Sequence, residues 1–449
     1  MALGTYQAAL DYLFAATDYE KMQRVRYNAD TFSLDRMRRY LEMLGSPERR
    51  LGSVHIAGTK GKGSTAAMVH AMAGACGLVS GLYTSPHLVD LRERIRVGPR
   101  EIAPGSLRRL IQAARPHIDA LRAAGDPPTF FEIFTGLAFR HFADAGVDLA
   151  VVEVGLGGRL DATNVLVPHV SVITALSLDH TFQLGGTLEA IAAEKAGIIK
   201  PGVPVVTHPQ PPEAMAVVER MAREAGSPLL AVGREVLYAW QPAERWGRRG
   251  GRLSVTTPRG TYPDLFLPLM GEHQAANAAS AIAAAELAPP LAVRLTADRV
   301  REGLARVDWP GRMEHVAGAP EMVLDGAHNR ESVERLLEAL GRHFPGRAAA
   351  VLFAAAADKD VDGMLQVLAA SDRVAGTVFT RTENPRACDP ADLEARLRRL
   401  GRDGRAAVPV AEALRVAADT AGADGLVVVC GSLYLVGEVK RLLAGASAR

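Results

Sequence analysis

The sequence contains few cysteines and no long apolar run, and these two absences narrow the classes of protein to consider. Cys76, Cys388 and Cys430 are far apart and lack the spacing of a zinc site or of a disulfide framework. Three isolated cysteines are typical of a reducing compartment, so a cytoplasmic protein is expected. No apolar stretch approaches the roughly 18 residues that a membrane span needs, and the first residues do not resemble a signal peptide.

A strong excess of charge of one sign is also absent. The formal net charge is +2 over 449 residues, which gives no reason to expect a nucleic acid partner. Hydrophobic residues make up 48% and charged residues 23% of the chain, as in globular proteins. The chain is too long for one ordinary core, so two domains, or three, are expected.

Short apolar runs alternate with longer helical patterns over most of the length. The runs at residues 149–154 and 170–175 contain no alternating polar residues, which is typical of strands buried on both faces. This alternation predicts an α/β protein with doubly wound parallel sheets, and residues 253–269 predict a small added antiparallel hairpin or meander. The Pro-Gly step within residues 307–312 predicts a boundary between a first domain, 1–307, and a smaller α/β domain, 308–449.

The most informative segment is residues 54–65, Val-His-Ile-Ala-Gly-Thr-Lys-Gly-Lys-Gly-Ser-Thr. An apolar stretch leads into three glycines within six residues, and an alanine-rich helical pattern follows. Loop amides, a helix N-terminus and a lysine suit a phosphate group, and a hydroxyl there can reach Mg²⁺. Unlike the usual G-x-x-x-x-G-K-[ST] pattern, Gly63 separates Lys62 from Ser64. A tight turn that needs glycine only for its geometry is the alternative.

Polar side chains follow other apolar runs. Glu153 comes directly after such a run and could hold a metal near phosphates, or its carboxylate could be capped by loop amides. His180 follows the next run and Lys195 lies near the end of a predicted helix, where structural hydrogen bonding and the helix dipole are the alternatives. No Ser-His-Asp arrangement and no glycosidase-like carboxylate pair is evident, which favours phosphate and metal chemistry over covalent catalysis.

Two further polar segments stand at the start of a helix and at the end of a strand. Residues 271–277, Gly-Glu-His-Gln-Ala-Ala-Asn, open a very alanine-rich helix, and their amide and imidazole groups could read a base edge or simply cap the helix. Residues 325–329, Asp-Gly-Ala-His-Asn, follow a strand in the second predicted domain, with Arg312 shortly before it.

Taken together, these segments resemble the folylpolyglutamate synthase/dihydrofolate synthase family, within the Mur-ligase superfamily of ATP-dependent amide-bond ligases. The resemblance runs nearly end to end. Its motifs, in order, are residues 58–65 (GTKGKGST), 84–88 (TSPHL), 92–95 (RERI), 130–132 (FFE), 153–164 (EVGLGGRLDATN), 178–180 (LDH), 194–197 (EKAG), 273–277 (HQAAN), 309–312 (WPGR), 325–329 (DGAHN) and 431–434 (GSLY).

The resemblance implies a P-loop ATPase fold for the first domain, a Rossmann-like fold for the second, and a role for each matching residue. The positions that it implies for ATP are Gly61, Lys62, Gly63 and Ser64 at the phosphates, Asn277 at adenine, and Arg312, Asp325 and His328 approaching from the second domain. Ser85, Glu153 and His180 would be Mg²⁺ ligands, and Lys195 would be carbamylated. Thr129, Phe131 and Asp161 would hold the pterin of the substrate.

The activity that the resemblance implies is addition of L-glutamate to a folate, to 7,8-dihydropteroate, or to both. The substrates would be bound by a monomer without nucleic acid or membrane, and the catalytic side chains would be Lys62, His180, Lys195 and Arg312. Another Mur-type ligase is one alternative, although one for peptidoglycan precursors would need a separate sugar-nucleotide domain before the loop. A nucleotide-binding switch protein is the other alternative. Two departures from the family pattern are Lys60, where many members have asparagine, and the alanines at 354–357.

Overall fold

The computed structural model describes residues 3–19, 22, 27–28 and 31–447, and the largest sheet in this part of the chain has eight strands. The strands are β1 (Ser53–Ala57), β2 (Ser80–Tyr83), β3 (Ile95–Val97), β4 (Arg100–Glu101), β5 (Leu149–Glu153), β6 (Val170–Ile173), β7 (Val205–Thr207) and β8 (Leu229–Ala231). Their spatial order is β4-β3-β2-β5-β1-β6-β7-β8, and only the β2–β3 and β3–β4 pairs are antiparallel. The chain therefore winds to both sides of β1, as the sequence predicted.

A three-stranded antiparallel sheet follows, made of β9 (Leu237–Arg245), β10 (Arg248–Thr257) and β11 (Gly260–Leu267) in the order β11-β10-β9. The sequence predicted a small antiparallel element at residues 253–269 but not β9. Residues 237–241 of this strand alternate between exposed and half-buried side chains, but the alternation stops at Pro242, and none of its side chains is fully buried.

The C-terminal part of the chain forms a separate six-stranded sheet. Its strands are β12 (Glu314–Val316), β13 (Glu321–Leu324), β14 (Ala349–Phe353), β15 (Val374–Phe379), β16 (Gly404–Ala406) and β17 (Leu426–Cys430). In the order β12-β13-β17-β14-β15-β16, only β12 is antiparallel to its neighbour. The predicted α/β architecture with a second, smaller sheet domain is confirmed, while the boundary between residues 307 and 308 stays a prediction.

Helices cover both sheets. In chain order they are α1 (Tyr6–Phe14), α2 (Leu34–Met43), α3 (Lys62–Ala75), α4 (Pro104–Ala123), α5 (Phe130–Ala145), α6 (Thr181–Leu184), α7 (Leu188–Ala196), α8 (Pro212–Glu224), α9 (His273–Leu287), α10 (Pro289–Ala292), α11 (Ala297–Ala305), α12 (Arg330–His343), α13 (Val361–Ala370), α14 (Pro390–Arg399), α15 (Val410–Ala421) and α16 (Leu433–Ser447). In the described ranges, none of them combines the length and apolar character needed to cross a membrane.

Small residues allow the helices on one face of the large sheet to pack very closely. Residues 274–286 of α9 are all buried, and eight of these thirteen positions are alanine. A Cβ atom at Gly303 of α11 would lie 2.7 Å from Cα of Met72 in α3, so the two backbones nearly touch. Alanine and glycine therefore set the depth at which α3, and the loop before it, sits against the sheet.

A buried ion pair joins α2 to α5 on the opposite face. The guanidinium of Arg36 lies 2.9 Å from the Glu132 carboxylate, and the two side chains are 8% and 7% exposed. Glu132 also accepts the backbone N–H of Thr129 at 2.7 Å and so completes the cap of α5. Because both charges are shielded from water, Glu132 depends on Arg36 for compensation, whereas Arg36 also contacts Asp126 at 3.3 Å.

Replacing one partner of this pair should therefore destabilise the protein strongly. We expect Arg36→Met to lower the free energy of unfolding by about 3–5 kcal/mol, since it leaves the Glu132 carboxylate buried and unpaired. Arg38→Met on the same helix is the matched control, because Arg38 and its partner Asp35 are 55% and 78% exposed; its cost should be below about 0.5 kcal/mol. Urea denaturation followed by circular dichroism measures both, and equal losses would contradict the assignment.

Candidate active site

A cleft of about 1810 Å³ opens between the carboxyl ends of the two parallel sheets. Almost all the side chains selected from the sequence line it, although they are spread over more than 260 positions of the chain. Those that line the cleft are Gly61, Lys62, Gly63, Ser64, Ser85, Thr129, Phe131, Glu153, Asp161, His180, Asn277, Arg312, Asp325 and His328. The remaining one, Lys195, is buried and reaches the glycine loop from α7.

The glycine loop connects β1 to α3 and is anchored to the segment that follows β6. The backbone N–H groups of Thr59 and Lys60 both donate to the carbonyl oxygen of Ala175, at 2.9 and 3.1 Å. Gly61 stands at the N-cap of α3 with φ of 86°, a left-handed conformation that glycine adopts without strain. The free N–H groups of the first helical turn therefore face the cleft, as a phosphate site requires.

Lys62 lies between the loop and the end of β5. Its ammonium donates to the carbonyl oxygen of Gly58 at 3.2 Å and lies 3.9 Å from the Glu153 carboxylate. Burial raises the pKa of Glu153, and the positive charge of Lys62 opposes that rise. The pair places a cation and a buried carboxylate side by side at the cleft.

Gly63 is pressed between two side chains from distant parts of the chain. A Cβ atom at this position would lie 2.6 Å from Cζ2 of Trp309 and 3.3 Å from Oε2 of Glu153. Any side chain here would displace the indole ring, which comes from the segment between α11 and β12. The extra glycine that distinguishes this loop from the usual P-loop pattern is thus a steric requirement.

The predicted metal ligands Ser85 and Glu153 are neighbours at the ends of β2 and β5. The backbone N–H of Ser85 donates to Oε2 of Glu153 at 3.1 Å. His180 begins the short helix α6, and its side chain is 45% exposed at the cleft. A carboxylate and a hydroxyl oxygen suit Mg²⁺, which is commonly held by one or two carboxylates together with substrate phosphates. Among residues 3–19, 22, 27–28 and 31–447, no group of three or more His, Cys, Asp or Glu side chains forms a preorganised metal cluster.

Lys195 is the most strongly perturbed lysine near the loop. Its side chain is buried, and Nζ donates to the carbonyl oxygen of Gly58 at 2.9 Å. Burial, reinforced by the charge of Lys62, lowers the pKa of Lys195 to about 7. A substantial fraction of this side chain is therefore a neutral amine near neutral pH, which is the nucleophilic form.

Asn277 is buried in α9 directly against the glycine loop. Its Oδ1 accepts from Nε2 of His208 at 2.8 Å, and its Nδ2 donates to Gln274 at 2.8 Å. A Cβ atom at Gly61 would collide with the same Oδ1 atom. The amide group is held rigidly at the edge of the phosphate loop, where its orientation is fixed before any ligand arrives.

The C-terminal sheet supplies the opposite wall of the cleft. Asp325 follows β13 and accepts the backbone N–H groups of Met313 and Ala327, at 2.8 and 2.7 Å. Burial raises the pKa of Asp325, and the guanidinium of Arg312 counteracts it. Nδ1 of His328 is 2.8 Å from the carbonyl oxygen of Gly326. These contacts fix Arg312 and His328 on the turn that faces the glycine loop.

The predicted acceptor residues gather at another part of the cleft. Thr129 caps α5 through its hydroxyl, which accepts the N–H of Glu132 at 3.2 Å. The ring of Phe131 is 6.1 Å from that of Tyr83 and covers Gly155, where a Cβ atom would lie 2.6 Å from Cζ of the phenylalanine. Asp161 is buried and bonded to the backbone of its own loop. The Phe131 ring and the loop on which it packs therefore form one part of the cleft wall, which we call the aromatic slot.

The sequence motifs did not assign a role to some residues that line the cleft. Arg36 lines the cleft and is tied to Glu132, but nothing in its local sequence marks it. Trp309 lies in a motif that the family resemblance included, although no role was attached to it. Burial alone would raise the pKa of Asp179, but His180, Lys60 and Lys359 outweigh burial and hold it well below its usual range. Lys60 and Lys359 therefore place positive charge on both walls near Asp179.

Comparisons with known proteins agree with this arrangement. Residues 110–285 match the Mur ligase middle domain, and residues 311–433 match the Mur ligase, glutamate ligase domain. A dihydrofolate synthase/folylpolyglutamate synthase of Bacillus subtilis is 35% identical over 91% of this chain and 94% of its own length. The protein of the same name from Escherichia coli is 35% identical over 86% of each chain.

Solved structures are similar over almost the whole chain. A Mycobacterium tuberculosis folylpolyglutamate synthase complexed with ADP superposes with a TM-score of 0.87 at 35% identity, covering 97% of this chain and 98% of the other. An FPGS–AMPPCP–folate complex superposes with a TM-score of 0.82 at 32% identity, covering 98% and 99%. Those two proteins bind a nucleotide, and the second also binds folate.

The steric role of Gly63 gives a direct test of the loop. We expect Gly63→Ala to weaken ATP binding by about tenfold or more, because the new methyl group must displace Trp309 at the first turn of α3. Gly74→Ala, in the last turn of the same helix, is the matched control, since in the described part of the chain no heavy atom beyond the adjacent backbone of its own helix lies within 4 Å of the added Cβ. Isothermal titration calorimetry measures the affinity of both variants for ATP. Equal affinities would show that the contact between Gly63 and Trp309 does not affect ATP binding.

Proposed function

Because this chain belongs to the folylpolyglutamate synthase/dihydrofolate synthase family of Mur ligases, we propose that it joins L-glutamate to a folate, to 7,8-dihydropteroate, or to both, with cleavage of ATP to ADP and phosphate. The family that the sequence motifs resembled is thereby confirmed. The observation that carries the proposal is the meeting, in one cleft, of a glycine loop with free helix N–H groups, an aromatic slot and a cationic opposite wall.

The reaction that fits these groups has two steps. A carboxylate oxygen of the acceptor attacks the γ-phosphorus of ATP, the bond to the β,γ-bridging oxygen breaks, and ADP leaves with that electron pair. The product is an acyl phosphate. The α-amine of glutamate then attacks the acyl carbon, phosphate departs, the ammonium loses a proton, and an amide is formed. Neither step needs a side-chain nucleophile, in keeping with the absence of one from the sequence patterns.

The protein's task in this scheme is to position the substrates and stabilise charge. The amides of residues 61–64 and the ammonium of Lys62 would hold the β- and γ-phosphates, and Arg312 would approach from the opposite wall. Asn277 would contact adenine, Asp325 would orient the turn that carries Arg312, and His328 would lie near the nucleotide. Positive charge on both walls favours the transfer of a phosphoryl group whose negative charge spreads over three oxygens.

Ser85, Glu153 and His180 are the residues that would hold Mg²⁺, as proposed from the family resemblance. The carboxylate of Glu153 and the hydroxyl of Ser85 suit that ion, while the imidazole of His180 suits it less well. When bound, Mg²⁺ would neutralise part of the charge on the ATP phosphates.

We assign the pterin to Thr129, Phe131 and Asp161, with the Phe131 ring available for stacking on it.

Carbamylation of Lys195 is part of the proposal. The neutral amine attacks CO₂, a nitrogen–carbon bond forms, and one proton leaves, so the side chain becomes an anion. Burial of the amine and its pKa of about 7 favour this chemistry. The carbamate would keep one N–H on the same nitrogen, which can still donate to the carbonyl oxygen of Gly58. We also propose that the protein is a monomer and that it is cytoplasmic; the three free and buried cysteines favour the cytoplasmic location.

The decisive assay uses purified protein, Mg-ATP and labelled glutamate, with dihydropteroate and tetrahydrofolate supplied separately as acceptors. We expect label to enter at least one acceptor, and Lys62→Ala to abolish incorporation because the cation at the phosphates is lost. Arg220→Ala is the control, because this exposed residue of α8 pairs only with exposed Glu224 in the described structure. Incorporation at the normal rate by Lys62→Ala would contradict the site, and no incorporation by the wild type would contradict the function.

The state of Lys195 can be tested independently. We expect Lys195→Ala to lose activity that bicarbonate or a short carboxylic acid partly restores. Lys200→Ala is the matched control, since burial also lowers the pKa of Lys200, to about 8, while its ammonium donates to Asn164. In the wild type, a carbamate signal from ¹³C-bicarbonate should grow as the pH rises through about 7, because deprotonation releases the nucleophilic amine. A spectrum without that signal in an active enzyme would contradict carbamylation.

A further inference from the structure

Three buried side chains form a hydrogen-bonded chain from the strand that leads to the glycine loop towards the acceptor slot. Nε2 of His55, in the middle of β1, lies 2.8 Å from Oγ1 of Thr163. That hydroxyl lies 2.5 Å from Oδ1 of Asp161. The exposed fractions of the three residues are 0%, 0% and 3%. None of these contacts is used by the reaction scheme above.

The direction of each hydrogen bond follows from the groups present. Burial raises the pKa of Asp161, and the hydroxyl of Thr163 and three backbone N–H groups oppose that rise. Because four donors are directed at its two oxygens, we take Asp161 as a carboxylate, which can only accept. The single hydroxyl proton of Thr163 therefore points to Asp161, and the oxygen is left to accept from His55. His55 must then carry its proton on Nε2. In the described part of the chain, Nδ1 of His55 has no hydrogen-bond partner, so Nε2 is the only ring atom through which it can act.

The carboxylate of Asp161 has no acceptor capacity left over. Oδ2 accepts the N–H groups of Gly155 and Leu156, at 3.1 and 2.9 Å. Oδ1 accepts the N–H of Thr163 at 2.9 Å and its hydroxyl at 2.5 Å. A carboxylate offers about four lone-pair positions, and all four are filled by the loop itself. Asp161 thus closes residues 155–163 into one shape, and the backbone of that loop faces the cleft.

We propose that His55 and Thr163 are positioning residues of the acceptor site, which act through Asp161 to hold residues 155–163 in the shape that receives the pterin-bearing substrate. This inference rests on the proposed function, because it takes the slot beside Phe131 to be the acceptor site. The proposal also makes the role of Asp161 at the pterin site more specific. Its carboxylate holds the loop in place and does not itself accept a hydrogen bond from the pterin. The hydrogen-bonded chain also joins the acceptor loop to β1, and β1 ends at the phosphate loop.

The test is a pair of substitutions at Thr163. Thr163→Val keeps the shape but removes the hydroxyl, which leaves a buried N–H of His55 unpaired and takes one donor from Asp161. We expect the KM for the acceptor to rise by about tenfold or more, with the KM for ATP changed less than about twofold. Thr163→Ser keeps the hydroxyl and should stay within about twofold of the wild type for both substrates. Hydrogen exchange in the peptide covering 154–166 should be faster in Thr163→Val only.

The outcomes separate this inference from the proposed function. Equal increases in the two KM values, equal behaviour of Thr163→Val and Thr163→Ser, or unchanged hydrogen exchange would each overturn the positioning role. A wild-type protein that adds glutamate to neither acceptor would overturn the proposed function, and hydrogen exchange would then decide the positioning role alone. If Thr163→Val does not fold, ¹⁵N-histidine NMR of the wild type tests the proposal instead, because it shows which ring nitrogen of His55 carries the proton. A proton on Nε2 of His55 supports the chain of hydrogen bonds, and a proton on Nδ1 overturns it.

Discussion

The position of β1 between β5 and β6 is the constraint on which the cleft depends. Parallel strands end at the same edge of their sheet, so segments that follow neighbouring strands are brought together there. The glycine loop follows β1, Glu153 ends β5, and His180 follows β6. Gly58 of the loop and His180 are 122 positions apart in sequence, and the strand order alone makes these groups neighbours. Helix α3 can then sit low against the sheet because its neighbours are alanine and glycine.

The second sheet also contributes side chains from the carboxyl ends of its parallel strands, and these complete the cleft. Asp325 follows β13 as Glu153 ends β5, and both are carboxylates at the carboxyl edge of a parallel sheet. Their surroundings differ, because Glu153 lies beside the ammonium of Lys62 whereas Asp325 accepts hydrogen bonds from two backbone amides. Two edges facing one another enclose a volume that a nucleotide and a second substrate can share, and positive charge is supplied from both sides.

The architecture and part of the candidate site could be predicted from the sequence because their signals are local, whereas Ser85, Thr129 and Phe131 were selected only through the family resemblance. Uninterrupted Val, Leu and Ile runs mark buried strands, and polar residues directly after such runs mark the edge where a site forms. Strand β9 was not predicted, because the alternation of its side chains stops at Pro242 and none of them is fully buried. The contacts of Arg36 with Glu132, of Trp309 with Gly63 and of Thr163 with His55 join segments far apart in sequence. No local pattern encodes such contacts, and the roles of the individual side chains remain predictions.

The fit of Trp309 against Gly63 limits how this loop can be exchanged between proteins. In the ordinary P-loop pattern a serine or threonine follows the lysine directly, so its Cβ atom would occupy the space that the indole ring fills here. A transplanted loop of that type would fit only if the segment joining the two sheets were transplanted with it. Phosphate loop and interdomain segment are thus a single module, although more than 240 residues separate them in the chain.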